Sequence, residues 1–441
     1  MTIPKKPDVT IIGAGLAGAE CAWQLLAGGF SVHLIDCKPE VFGAYRLPGY
    51  AELVCSNSLK SDDPETAGGL LKREMRSLGS IVLDVADRQR LRAGGALAVD
   101  RERFSAAVTN RLTEHALVTV ESRKVDAIPV DTAFTVVATG PLTEPDLAAQ
   151  IDSDHLHFFD ATAPIVSAES INPDLSFAAG RYGKGGDDYI NCPLNEAEYR
   201  TFYDALLNGR VVETTAYDDR VFAHCQPIER LAARGIDTIR YGPMRPTGLT
   251  DPKTGRRPYA VLQLRREDAA AQMWGLVGFQ TRLTFPEQQR IFRLIPALAE
   301  AEFFRYGVMH RNTYVQGPRV LGGGNVLKQN SRIFAAGQLT GVEGYMESAS
   351  SGLITGRFIR HLLEGKSRTM ADRLLPAGDT MIGALHQYVI SSESPDYQPM
   401  NANFGLFAPT PDTPARKAAR KAFYGARSAA SIQRMLEAEH A

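Results

Sequence analysis

Two of the five cysteines in this 441-residue chain sit where a thiol can do chemistry. His224-Cys225-Gln226-Pro227-Ile228-Glu229 sets one beside an imidazole and near a carboxylate. A thiol so placed ionises more readily and serves as a nucleophile or a base. Ala51-Glu52-Leu53-Val54-Cys55-Ser56-Asn57-Ser58 sets another in a polar stretch. Free cysteines are also common as small buried fillers, and local residues alone leave both readings open. Cys21 and Cys37 read as structural, and Cys192 fits either role. His310-Arg311-Asn312 could orient an anionic group or be satisfied at a domain junction. Tyr345, in Gly341-Val342-Glu343-Gly344-Tyr345, could stack on a flat heterocycle or pack as a core tyrosine. No Cys-x-x-Cys or His-rich cluster suggests a metal site, so none is expected.

These side chains need a scaffold, and Val9 to Asp36 outlines one. An apolar strand runs into Gly13-Ala14-Gly15-Leu16-Ala17-Gly18, a helical stretch follows, and a second strand closes on Asp36. Gly13 permits a tight turn, Gly15 lets the backbone approach a pyrophosphate, and Gly18 lets helix and strand pack closely. The helix start offers N–H groups and a positive dipole end to phosphates, and Asp36 is placed to accept from a ribose hydroxyl. A nicotinamide dehydrogenase would share this fingerprint. The run Val136-Val137-Ala138-Thr139-Gly140 and the late Ile333-Phe334-Ala335-Ala336-Gly337-Gln338 favour FAD as the bound dinucleotide. The three-part arrangement resembles the two-dinucleotide-binding-domain flavoproteins, many of which carry Asp where this chain has Gln338.

The expected fold is α/β: a Rossmann-like FAD-binding domain, residues 1–165 and 316–441, interrupted by an inserted α+β domain at 166–315. Helices are expected over 68–79 and 104–112, with strands at 117–120 and 134–140. Between 166 and 315 turn signals multiply, as in Gly183-Lys184-Gly185-Gly186 and Asp251-Pro252-Lys253-Thr254-Gly255. Pro414 to Met435 carries Arg416, Lys417, Arg420, Lys421, Arg427 and Arg434 and no acid, and its Ala content favours helix. That run could follow a phosphate backbone or form a solvated face.

Hydrophobic residues at 44% and charged residues at 22% suit a globular protein, and the net charge of −1 gives no global pull towards nucleic acid. No apolar run is long enough to cross a bilayer, so no membrane association is expected. The first strand begins too close to Met1 for a signal peptide, and the odd cysteine count suits free thiols in a reducing cytoplasm.

Taken together, the segments identify a resemblance. The glycine fingerprint, Ala51 to Lys60, Ala93 to Arg101, Cys192 to Tyr199, Cys225 to Glu229, Gly242 to Leu249, Arg257 to Arg265, Arg305 to Thr313 and Phe334 to Leu353 are similar to the bacterial folate- and FAD-dependent tRNA (uracil-5-)-methyltransferases. The resemblance implies that NAD(P)H reduces FAD and that 5,10-methylenetetrahydrofolate supplies a carbon. That carbon would reach C5 of the T-loop uridine of tRNA and give 5-methyluridine. The family's two functional cysteines match Cys55 and Cys225, with Cys225 the principal nucleophile or base and Cys55 a helper in proton transfer. The site would include Gly13 to Gly18, Asp36, Gly140, Gly337 and Gln338 for the cofactor, with Tyr345, His310 and Arg311 towards folate or substrate. The partners are the tRNA T-arm and folate, and no obligate protein partner is inferred. Same chemistry on ribosomal RNA is the nearest alternative, and a related FAD-dependent wobble-uridine modification protein the next. Departures lie at Gly43 to Tyr50 and at His224 and Gln226.

Overall fold

The computed structural model describes residues 6–40, 45–212, 226–394 and 397–440, with backbone alone at 158–160, 310, 311 and 440. Its first sheet grows from short runs of β-branched and apolar residues. Val9–Ile12, with every residue buried, lies at the middle. It pairs in parallel with Val32–Asp36 on one side and Phe134–Val137 on the other. Val118–Ser122 extends the sheet beyond Val32–Asp36, and Asn330–Ala335 extends it beyond Phe134–Val137. Val326–Leu327 adds an antiparallel edge.

The chain thus leaves the central strand in one direction and returns to its other side. The carboxyl ends of Val9–Ile12 and Phe134–Val137 therefore form a topological switch point, where open α/β sheets bind ligands. Two helices pack on this sheet, Leu16–Ala27 and Tyr345–Leu363. The first starts four residues past Ile12 and the second after the Gly337–Thr340 turn that follows Ala335, and the amino ends of both line the cavity at the switch point.

The second sheet is antiparallel throughout. Its order is Phe177–Ala178, Tyr189–Leu194, Ala260–Arg266, Met273–Leu276, Ile165–Ser167 and Phe303–Arg305. One face packs on Glu196–Leu207 and Phe285–Phe292 around Tyr199, Phe202, Phe279 and Phe292. A reciprocal capping box, Asn195 with Glu198, starts the first of these helices by satisfying otherwise unpaired N–H groups at both ends of the motif. Leu156–Ala161 and Met309–Tyr314 pair with each other and run between the two sheets.

Helices form at Ala67–Ser77 and Arg101–Thr113, close to where periodicity places them. The last helix, Lys417–His440, has two faces. Tyr424, Ile432 and Met435 bury against the first core, and Ser428 donates to the buried carboxylate of Glu74. Near its end, Glu439 accepts from Arg357 and meets His361 Nε2 at 3.0 Å. No helix among the described residues is long and apolar enough to cross a membrane.

Candidate functional site

A cavity of about 670 Å³ opens at the switch point and runs towards the second sheet. Gly13 to Ala17, Asp36, Gly140, Gly337 and Gln338 line one part of it, and Cys55 and Tyr345 line another. The volume lies within the range of small-molecule and cofactor sites, about 300–1,000 Å³.

The first wall is made of backbone. Gly13 has φ +98°, and a Cβ there would lie 2.5 Å from the Ala138 carbonyl oxygen. Gly18 sits so close that a Cβ would come within 1.8 Å of the Gly13 carbonyl oxygen. The turn and the helix can therefore meet only without side chains at these positions. Gly15 differs: a Cβ there would meet no atom within 4 Å. The space it leaves lies before the amino end of Leu16–Ala27, where no side chain accepts from the first N–H groups. Asp36 straps the turn, accepting from Ala14 N at 2.6 Å and Lys38 N at 2.8 Å. An uncapped helix start, open space in front of it and a carboxylate at the end of the next strand form the donor and acceptor set of a dinucleotide site, and FAD fits it.

Beside this wall, Lys38 and Glu52 form a buried ion pair at 2.8 Å. Glu52 also accepts from Arg46 N at 2.7 Å and Leu47 N at 3.1 Å, which fixes the loop that carries Tyr45 to the cavity. Burial, then the Asp36 and Glu52 charges, push the Tyr45 phenol up.

The second wall is made of side chains from distant parts of the chain. Cys55 is half-buried on it. The Tyr345 hydroxyl accepts from Cys55 N at 2.7 Å and Ser56 N at 3.2 Å. Arg265 donates to Asn57 Oδ1 at 2.8 Å and Ser56 Oγ at 2.7 Å. Arg101 pairs with Glu267 at 2.9 Å and reaches the Val54 carbonyl at 3.3 Å. Asn57 in turn donates to the carbonyls of Val99 and Arg266. The thiol thus sits on a segment anchored at every step by Arg101, Arg265 and Tyr345. Burial and the nearby Arg101 charge lower the Arg305 guanidinium, which faces the same region.

The remaining expected site residues divide. Tyr345 is on the cavity wall, and its phenol is bound to the Cys55 backbone. Gln338 donates to Glu343 at 2.7 Å, both on the wall. His310 and Arg311 occupy Met309–Tyr314, and their side chains lie outside the described residues. Cys225 and His224 also lie outside them. The chain just after them is anchored. Ile228 N donates to the Gln280 carbonyl at 2.7 Å, and Gln280 lines the cavity. Glu229 is committed to that anchor, accepting from Thr281 Oγ1 and Arg282 N at 2.9 Å each. Cys21 and Cys192 are fully buried, and burial pushes both thiols up. Burial, then Asp36, pushes Cys37 up to about 11.

Local sequence assigns no role to Arg101, Glu267, Asn57 or Arg265, which the fold brings to the Cys55 segment. A signal existed. Arg265 and Glu267 share one side of a strand end, and opposite charges two residues apart on a half-buried strand suggest a built pair.

The family model described as "Glucose inhibited division protein A" (GIDA) matches residues 8–367. A protein of Anaeromyxobacter dehalogenans, named "Methylenetetrahydrofolate--tRNA-(uracil-5-)-methyltransferase TrmFO", is 52% identical over 94% of this chain and 92% of its own. A protein of the same name from Acetivibrio thermocellus is 49% identical over 91% of this chain and 92% of its own. Among solved structures, Aquifex aeolicus GidA superposes with a TM-score of 0.69 at 16% identity, over 99% of this chain and 74% of that one. That last likeness is one of fold.

Proposed function

The chain belongs to the GIDA family and to its TrmFO branch, and from that premise we propose that it is a folate- and FAD-dependent tRNA (uracil-5-)-methyltransferase. The observation that carries the reading is one cavity joining a glycine-walled dinucleotide groove to an anchored cysteine segment. The overall change converts uridine, methylenetetrahydrofolate and NAD(P)H with a proton to 5-methyluridine, tetrahydrofolate and NAD(P)+. FAD, when bound, supplies the redox and one-carbon-carrying chemistry.

The residues divide the remaining work. The N–H groups at Gly13 to Ala17 hold the pyrophosphate, and the free lone pairs of Asp36 accept from a ribose. Gly140, Gly337 and Gln338 close the groove. Uracil C5 is a weak nucleophile until a thiolate adds at C6. A base must then remove the C5 proton before the C6–S bond breaks. We assign Cys225 as principal nucleophile or base and Cys55 as its helper in proton transfer. Arg101 and Arg265 hold the Cys55 segment and supply positive potential beside its thiol. His310 and Arg311 belong to folate or the RNA backbone. Residues 166–315 act as an inserted domain that closes over the groove of 1–165 and 316–441. The exposed Arg416, Lys417 and Arg420, with Lys421, meet tRNA phosphates. Such a protein works in the cytoplasm.

The test is direct. Purified protein should be yellow and should methylate a tRNA transcript with methylenetetrahydrofolate and reduced nicotinamide. A requirement for S-adenosylmethionine overturns the reading. Methylation of ribosomal RNA fragments in preference to the tRNA T-arm transfers it to the other substrate.

A further inference from the structure

Asn312 lies on Met309–Tyr314, is 1% exposed and lines the cavity. Neither Nδ2 nor Oδ1 has a hydrogen-bond partner among the described residues. A buried amide left unpaired loses its hydration with nothing in return, so a fold retains one where something else completes it. Its backbone is held firmly. Thr313 N donates to the Pro141 carbonyl and Val315 N to the Leu339 carbonyl, each at 2.8 Å. The strand is therefore clamped between the end of the Phe134–Val137 strand and the turn that follows Gly337. The carboxamide is fixed where these two parts of the groove meet.

A carboxamide presents a donor and an acceptor side by side in one plane. Its complement is a ring edge with a carbonyl next to an N–H, the imide or lactam edge of a flat heterocycle. We propose that Asn312 binds this edge on the pyrimidine ring of the flavin, with Nδ2 donating to a ring carbonyl and Oδ1 accepting from the adjacent ring N–H. The proposal rests on the FAD reading above. Uracil and the pterin of folate carry the same pair of groups. Depth favours the resident ring: Asn312 is almost fully buried beside Gly140 and Gly337, whereas uridine and folate must come and go from solvent.

Asn312→Leu keeps the approximate size and removes both polar atoms, and Asn312→Ser is a smaller change that preserves the fold if leucine does not. Holoprotein is diluted and released FAD is followed by its fluorescence, with no folate or RNA present. The midpoint potential is measured by dye equilibration. In both variants FAD should dissociate with an equilibrium constant about tenfold or more above wild type, as expected for losing one or two such bonds. The visible flavin spectrum and potential should shift, while KM for tRNA and for folate stays unchanged. Unchanged dissociation, spectrum and potential overturn the proposal. So does a rise confined to the KM for tRNA or for folate, which would assign the amide to uracil or pterin. Wild-type protein that binds no flavin would sink the FAD reading itself, and this inference with it.

Discussion

The two walls of the cavity are built by opposite means. Around Gly13, Gly15 and Gly18 the wall is backbone and missing side chains, and the three glycines that shape it lie within six residues of chain. Around Cys55 it is a lattice of side chains, drawn from the segments near residues 55, 101, 265 and 345. The first wall holds a shape, and its tolerance is set by steric distance. The second holds one segment by charge-assisted bonds, and its tolerance is set by whether each buried partner keeps a counterpart. A dinucleotide needs space and N–H groups, whereas a reacting thiol needs a fixed position and a field.

The comparison breaks most sharply at the glycines. Gly18→Ala puts a Cβ 1.8 Å from a backbone oxygen. It should cost about 3 kcal/mol or more and yield colourless, poorly folded protein, read by thermal melting and flavin absorbance. Gly15→Ala, with open space around its Cβ, should melt like wild type yet lose FAD. Equal effects at the two positions would show that the first wall is not shaped for a ligand.

At the second wall, Arg265→Ala removes a guanidinium from Asn57, Ser56 and Glu267. Breaking such a partly buried network costs on the order of 3 kcal/mol. We expect kcat to fall by about tenfold to a hundredfold with flavin content unchanged. Loss of flavin together with activity would erase the distinction between the walls. Tyr345→Phe is milder. It leaves the ring and strips the acceptor from Cys55 N and Ser56 N, and kcat should fall by about tenfold with FAD retained.

The C-terminal helix sharpens the contrast by adding a surface that belongs to neither wall. Alanine at Arg416, Lys417, Arg420 and Lys421 should weaken tRNA binding and flatten its salt dependence by about 0.7–0.9 in log–log slope per lost contact. Kinetics of flavin reduction should not change. Unaltered affinity and slope would make these residues a solvated face.

The smallest effect concerns pH. Burial raises Glu74 to about 7 despite bonds from Ser428, Met381 N and Ile382 N. A folded value above the unfolded one means that its contribution is fully present below the unfolded value and is lost as pH rises through about 7. Glu74→Gln should therefore make stability less sensitive to pH between about 4.5 and 7. Glu439 has the opposite sign. Burial alone would raise it, but the bond to His361 and the Arg357 charge hold it at about 2. Its contribution is present above its unfolded value and is lost as pH falls through about 2. Thermal melts from about pH 2 to 7, with and without Glu74→Gln and, separately, Glu439→Gln, check both signs.

How much of this was legible in the chain depends on the distance between cooperating residues. The glycine turn, Asp36, the Phe134–Val137 strand and the late strand before Gly337 were readable because each is a local pattern of period, turn and cap. Basic residues in the last helix were legible as a run, but not their separation. Arg427 lies over the rings of Phe407, Phe423 and Tyr424, while Arg416 and Lys417 face solvent. The role of Tyr345 was half visible. Its ring was expected at a heterocycle, and nothing local says that its hydroxyl would hold the backbone of Cys55, since 290 residues separate the pair.

By itself, then, the chain determined a dinucleotide turn, the alternation of strands and helices that carries it, and which thiols stand beside polar neighbours. These follow from steric limits on φ, from hydrophobic period and from neighbouring residue types, all of which act over a few residues. Only the tertiary structure decided that Cys55 would be anchored by Arg101, Arg265 and Tyr345, and that Asn312 would be buried with its amide unpaired. Those outcomes depend on which sheets meet and on which polar groups find partners after packing, and no short stretch of sequence contains both members of such pairs.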